Sequence, residues 1–360
     1  MKLRFLRGFS EFRCTAGDCP DTCCRDWAVA LDPDAARRYR ALAGPLGKTL
    51  RQAMGKLKGE ACLQLQGGFC PLLNEKGLCQ IQLELGEDGL CESCRLHPRF
   101  AEEYGGLREW CLSLSCPEAA RLLLTDPAPL CYTETITDEP VSYCNNLNPQ
   151  LFYSLVAARK TAFAMIQDRS FPWEIRVRNL LSFAGAFQRA LDRRCPAHLD
   201  GITARFAEGR FPKRPPLVSD GLLKRLDGLP SIGEEWSGLL REALSENPSE
   251  SDRAVLNDLV PDYEPEHLLY YYLYRYFLKA VTDRRLLPRV RFAIFSVYCI
   301  RALELARYCK TEALTEMDRI DIVHRYSRQI EHSSGNLEVL LSDARLLFTE
   351  SSTLSASSRL

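Results

Sequence analysis

Along most of the chain, apolar residues recur with a helical rather than an alternating period. In residues 149–168 (PQLFYSLVAARKTAFAMIQD) they fall at helical spacing behind Pro149, a residue suited to a first helical turn. Residues 173–193 carry the same period through Ile175, Val177, Leu180, Leu181, Phe183 and Phe187. HLLYYYLYRYFLKAV (267–281) and RVRFAIFSVYCIRALELARYC (289–309) are apolar on nearly every face, which predicts deeply buried helices. FPKRPPLVSD (211–220) reads as an extended proline-rich connector, and SENPSESD (245–252) as a polar surface loop. Residues 346–360 end in polar ESSTLSASSRL and read as a disordered tail. No run alternates clearly enough to predict a strand, and no internal repeat is present. The expected class is mainly α.

Composition narrows the function classes. Forty-seven basic residues balance forty-seven acidic ones in 360, so nothing suggests a dominant nucleic-acid or anionic-membrane footprint. No stretch of eighteen apolar residues occurs, so no membrane span is expected. MKLRFLRGFSEFRC lacks an uninterrupted apolar core for a signal peptide. A cytoplasmic location is expected, where thiols stay reduced and clustered cysteines point to metal rather than to disulfides.

The sixteen cysteines are crowded toward the N-terminus. The spacing is C-x4-C-x3-C-C at 14–24, then Cys70 and Cys79, then C-x2-C at 91 and 94. Short loops of this kind let several sulfurs converge, and thiolates select zinc, copper(I) or iron–sulfur clusters. Proline follows Cys19, Cys70, Cys116 and Cys195, where chance gives about one such pair at ordinary proline usage; it stiffens a ligand loop. Spacing favours Cys19, Cys23, Cys24, Cys70, Cys79 and Cys94 as ligands, whereas Cys62, Cys131, Cys144, Cys299 and Cys309 read as packing residues. Asp26 stands where a radical-type C-x3-C-x2-C motif starting at Cys19 needs its third cysteine. No G-x-G-x-x-G follows a strand-like run, so no Rossmann fold is expected. The expected organisation is a cysteine-rich metal-cluster module over 1–125, packed on a helical domain over 126–345 that holds the cofactor and substrate site.

CPDTCCRDWAVALD, FCPLLNEKGLCQIQLELGEDGLCESCRLHPRF and LSLSCPEAARLLL resemble the flagellin lysine-N-methylase (FliB-like) family. The likeness continues through YYYLYRYFLKAV, RVRFAIFSVYCIRAL and HRYSRQIEHSSGNLEVLL, and covers roughly residues 5–345 in the family's order. The resemblance implies S-adenosylmethionine-dependent methylation of lysine side chains on flagellin, with flagellin as protein partner and neither nucleic acid nor membrane. It also implies a cysteine-ligated cluster, [4Fe–4S] preferred and zinc the alternative. The matching cysteines are Cys14, Cys19, Cys23, Cys24, Cys70, Cys79, Cys94 and Cys116, more than the four that one such cluster takes.

Two stretches offer the chemistry that amine methylation needs. The aromatic run Tyr270–Phe277 could wall a cation-binding pocket, with Tyr271 and Tyr274 as cofactor contacts; core packing is the competing reading. In HRYSRQIEHSSGN (324–336), Tyr326, Arg328, Glu331 and His332 fall within about two helical turns. Glu331 or His332 would accept the amine proton, with Tyr326 beside them, and Arg328 would pair with the cofactor carboxylate; a solvated helix face is the alternative. Arg95, His97 and Arg99 read as supports of the metal loop, with His97 also a possible nitrogen ligand. A different class of function, a non-enzymatic metal-binding or redox-sensing module with a helical partner platform, fits the same cysteines.

Overall fold

A computed structural model of the chain describes residues 1–57, 59–141, 147–194, 197–209 and 221–343. The expected connector 211–220, Cys144, the Cys195–Pro196 pair and the expected tail lie outside the described residues.

The described chain is mainly helical, as its periodicity predicts, but it also builds two small sheets that the pattern did not announce. One is four-stranded: β1 (Lys2–Leu6), β5 (Arg99–Tyr104), β6 (Leu107–Leu112) and β7 (Tyr132–Ile136), in the order β5-β6-β1-β7. Here β1 runs parallel to β6 (Lys2 opposite Leu107, Phe5 opposite Trp110) and antiparallel to β7 (Lys2 opposite Ile136). The other joins β2 (Val29–Ala30), β4 (Glu60–Leu63) and β3 (Met54–Leu57) in that order. The expectation of no strands is corrected, and the reason lies in the inward positions. Arg4 on β1 and Glu109 on β6 point into the core, where Arg159 also reaches Glu109, with Arg4 Nη1 at 3.1 Å and Arg159 Nη1 at 2.7 Å. Buried charges at inward sites erase the apolar alternation by which a half-buried strand is read.

The helices begin with short pieces around the cysteines: α1 (Pro33–Ala41), α2 (Gly44–Ala53), α3 (Gln80–Leu85), α4 (Glu92–Leu96) and α5 (Pro117–Thr125). Then come α6 (Pro149–Gln167), α7 (Trp173–Asp192), α8 (Ala197–Ala207), α9 (Leu222–Asp227), α10 (Glu234–Ser245) and α11 (Glu250–Leu259). The last five are α12 (Tyr263–Tyr276), α13 (Ala280–Asp283), α14 (Leu286–Thr311), α15 (Glu316–Glu331) and α16 (Ser334–Ser342). Caps set several starts. Asp32 accepts from Ala35 N at α1, and Asn148 from Leu151 N before Pro149 at α6. Capping boxes open α11 (Ser249 with Asp252) and α15 (Thr315 with Asp318). The first of these starts α11 inside the stretch expected to be loop, which shortens that loop to residues 246–249.

Two main cores result. The smaller packs Val29, Leu31, Tyr39, Leu50, Leu72 and Ile81 with Cys70 and Cys91, and Cys24, Cys79, Cys94 and Trp27 border it. The larger gathers the long helices around α14, and the four-stranded sheet adds Leu6, Tyr104, Leu107 and Cys111 to it. Helix α12 is buried at Glu264 and from Glu266 through Tyr276, so its polar atoms can meet partners only inside the protein; the Tyr272 hydroxyl and His267 Nε2 have none among the described residues. No helix among the described residues is long and apolar enough to cross a membrane.

Candidate functional site

The last turn of α15, α12 and two loops of the N-terminal half converge on one polar hub. Its centre is the Glu331 carboxylate, whose side chain is fully enclosed. Arg275 Nη1 lies 2.6 Å from it, Ser327 Oγ 2.7 Å, the Tyr276 hydroxyl 2.9 Å and the Tyr271 hydroxyl 3.2 Å. The Tyr271 hydroxyl in turn accepts from Arg275 at 2.6 Å and from Leu114 N at 3.5 Å. Arg275 also sits over the Phe100 ring, 4.3 Å from its centroid. Burial opposes its charge, yet the facing Glu331 holds its pKa well above the ordinary value. Burial pushes the Tyr271 and Tyr276 hydroxyls far up, so both remain protonated donors.

His332 caps α15 beside this carboxylate. Its Nε2 lies 2.7 Å from Ser115 Oγ, which is 2.8 Å from Ser113 Oγ, and both serines are buried. The two serines belong to the loop between β6 and α5, which Ser113 N fastens to Pro98 O at 2.7 Å. The His332 ring meets Trp27 edge-on at 5.3 Å and His97 at 5.9 Å, and Trp27 lies 5.9 Å from His97. Burial first, then His97, Arg328 and Arg275, push His332 down to about 3. Burial, Arg328 and Arg275 push His97 down to about 4. Both imidazoles are therefore neutral at pH 7. His97 Nε2 is enclosed with no hydrogen-bond partner among the described residues.

Of the residues expected at the site, Glu331, His332 and Tyr271 come together in the hub. Tyr326 lies between α14 and α10, its hydroxyl 3.0 Å from Ser296 Oγ and its ring 6.2 Å from Trp236. Tyr274 faces the four-stranded sheet, with Arg4 O and Trp110 O each 3.4 Å from its hydroxyl. Arg328 is engaged by the cysteine loop, 2.8 Å from Asp21 Oδ2 and 3.1 Å from Thr22 O. Sequence reasoning did not find Trp27, Ser113, Ser115 or Arg275. Only Arg275 carried a signal, as the one formal charge between Leu268 and Leu278 in an apolar helix, where it must be paired.

The fourteen described cysteines are all free thiols. Cys24, Cys70, Cys79, Cys91 and Cys94 share the smaller core. Cys70 is close enough to Cys79, Cys91 and Cys23 for their charges to interact, and so is Cys94 to Cys24 and Cys23. Hydrogen bonding within the pairs Cys23–Cys24 and Cys91–Cys94 pulls Cys23 and Cys91 down to about 7 and raises their partners. Cys19 lies near Cys14 and Cys116, at the edge of this group, and Cys14 is exposed. Soft sulfurs gathered in this way suit zinc or an iron–sulfur centre by chemistry. Among the described residues, however, no three His, Cys, Asp or Glu side chains are arranged to hold one ion. The cavity beside Arg328, lined by Asp26, Gly233, Trp236 and Gln329 among others, measures about 20 Å³, space for a water rather than a nucleoside.

Comparison with known proteins places this geometry in context. Residues 159–354 match the model of the FliB lysine N-methylase C-terminal domain, a span that takes in Arg275, Glu331 and His332 but not the cysteine-rich stretch. A lysine-N-methylase of Salmonella typhimurium is 33% identical over 132 residues, 35% of this chain and 33% of that protein. One of Salmonella choleraesuis matches equally. The flagellar biosynthetic protein FliU of Salmonella muenchen is 34% identical over 125 residues, 33% of this chain and 74% of its own length. The chain thus matches about a third of the length of these lysine-N-methylases. No solved structure matches it.

Proposed function

We propose, because this chain belongs to the FliB lysine N-methylase family, that it is a cytoplasmic, S-adenosylmethionine-dependent protein-lysine N-methyltransferase acting on flagellin. The observation that carries this reading is His332: a neutral, half-buried imidazole beside Trp27 and His97 and joined to Ser115, inside the family-matching region.

Methyl transfer to lysine is a displacement by a neutral amine. With an ordinary pKa of about 10.4, roughly one lysine in 2,500 is neutral near pH 7, a cost of about 4.6 kcal/mol. Neutral His332, joined to Ser115 and through it to Ser113, is suited to orient an amine that has already lost its proton, since a ring held down to about 3 is too weak a base to keep that proton itself. Arg275 and Arg328 disfavour any further positive charge at the imidazoles, and the same field disfavours an ammonium there. Trp27 supplies an aromatic face on which an alkyl-amine can lie. Glu331, saturated by four donors, holds Arg275, Tyr271 and Tyr276 in place. The methyl donor is S-adenosylmethionine in this proposal, and the water-sized cavity at Arg328 does not hold it.

For the cysteines we propose a thiolate-held centre, [4Fe–4S] preferred and zinc the alternative, drawn from Cys23, Cys24, Cys70, Cys79 and Cys94, with Cys14, Cys19 and Cys116 at its margin. Such a centre would supply cross-linking of the N-terminal loops.

The test is transfer of labelled methyl groups from S-adenosylmethionine to purified flagellin, using protein prepared without oxygen. Label on flagellin lysines is expected, and His332→Ala should slow transfer by about 10²-fold, the scale of a misplaced reacting group. Absence of transfer by the intact protein, or an unchanged rate in His332→Ala, overturns the proposal.

A further inference from the structure

The Cys19–Trp27 loop does not rest on the helical half through apolar contact alone. Asp21, inside the CPDTCC run between two cysteines, carries a side chain only 5% exposed. Its Oδ2 lies 2.8 Å from Arg328 Nη1 and 3.0 Å from His324 Nε2, and its Oδ1 lies 3.2 Å from Arg25 Nη1. Arg328 Nη2 donates to Thr22 O at 3.1 Å. A second thread runs from Arg25 to Glu235 on α10 at 2.9 Å, and Arg325 on α15 meets the same Glu235. One end of this loop bears Cys19, Cys23 and Cys24. The other bears Trp27, whose indole donates to Cys23 O at 2.7 Å and whose ring meets His332. His324 and Arg328 are one turn apart on α15, and His332 follows Arg328 after one further turn.

We infer that Asp21 is a positioning residue that ties the cysteine loop to α15, so that the thiol centre and the His332 site assemble as one unit. The inference rests on the proposed role of His332 and adds a dependence: the methyl-transfer site is complete only when the cysteine loop is docked. The physical reason is the long span of the contact. A buried carboxylate facing two guanidiniums and an imidazole from two segments is strongly held when complete, and costly to leave half-paired. Losing it frees Trp27 from the His332 ring without removing a single thiol.

The experiment compares Asp21→Asn and Asp21→Glu with the intact chain, all purified without oxygen. Metal and sulfide per chain, kcat and KM for flagellin methylation, and amide hydrogen exchange by peptide would be measured. In Asp21→Asn, metal content should stay at the intact level and kcat should fall at least tenfold with KM within about twofold. Exchange should quicken together at residues 19–28 and 326–334, and stay unchanged in α6 and α7. Asp21→Glu, which keeps the charge, should recover a measurable part of kcat. The inference is overturned if kcat in Asp21→Asn stays within twofold, or if exchange quickens at 19–28 alone. If the intact chain transfers no methyl group, the functional proposal falls, and the paired exchange at 19–28 and 326–334 alone decides this inference.

Discussion

Replacing Glu331 by glutamine should destabilise the protein more than it alters any surface property. The carboxylate is fully enclosed and receives Arg275 at 2.6 Å, Ser327 at 2.7 Å, Tyr276 at 2.9 Å and Tyr271 at 3.2 Å. Glutamine keeps one acceptor oxygen, loses the charge, and turns an NH₂ toward donors. Breaking one partner of a buried ion pair costs about 3–5 kcal/mol, because the other charge is left uncompensated. Arg275 retains its contact with Phe100 at 4.3 Å in both chains, so that contact cancels in the comparison. The expected loss is therefore about 3–5 kcal/mol, read by urea unfolding at pH 7.5 with an unchanged m value. Adding Arg275→Met should recover part of it, since the stranded charge is then gone. A Glu331→Gln chain within about 0.5 kcal/mol of the parent, the scatter of an ordinary surface change, would refute the view of Glu331 as the organising anion of the hub. It also follows that His332, not Glu331, is the cleaner position at which to test rate.

Two further outcomes concern acid, and they carry opposite signs. His97 and His332 have folded-state pKa values depressed to about 4 and about 3. Their contribution is therefore complete above the ordinary histidine value and is lost as pH falls toward those values. From pH 7.5 to 5 the loss should be about 1–2 kcal/mol for each ring, and His332→Gln should remove one share in paired urea curves. Glu304, enclosed on α14, is raised to about 7 by burial, against the pull of Arg301 at 3.2 Å. Its contribution is whole below the ordinary carboxyl value and is lost as pH rises through about 7, so Glu304→Gln should steepen the acid loss and stabilise the chain at pH 8 by about 1–3 kcal/mol. A pH 8 stability unchanged in Glu304→Gln would contradict this.

The sequence was most informative where one residue type dominated an element. Helices α12 and α14 were legible because nearly every position is apolar. The four-stranded sheet was not, since its inward faces carry Arg4 and Glu109. The hub was half legible. Ser327 and Glu331, and His324 and Arg328, form two pairs one turn apart on α15. The first pair faces Arg275 and Tyr271, and the second faces Asp21. Tyr326 faces Ser296 instead. A dense polar run announces such a helix but not which neighbour each side meets. Ser115 and Asp21 were invisible because their partners lie 217 and 303 residues away. No local pattern encodes a contact of that span.

The junction of the two halves also explains why uncharged histidines sit among guanidiniums. Arg275 and Arg328 are each paired with a buried or nearly buried carboxylate, Glu331 and Asp21, whose charges they offset. Each ion pair is locally neutral, but its cationic end lies on the side of His97 and His332 and lowers the affinity of both rings for a proton. A lysine ammonium brought to the same place meets the same field and the same desolvation, and both favour release of its proton. The ordering energy for this arrangement comes from contacts outside the rings: Asp21 on one flank, Glu331 on the other, and the Ser113–Ser115 loop behind. Changing an imidazole therefore removes a neutral ring that orients the amine, whereas changing Asp21 or Glu331 removes the surroundings that hold that ring in place. The two kinds of variant should separate in their pH dependence even where their rates at pH 7 coincide.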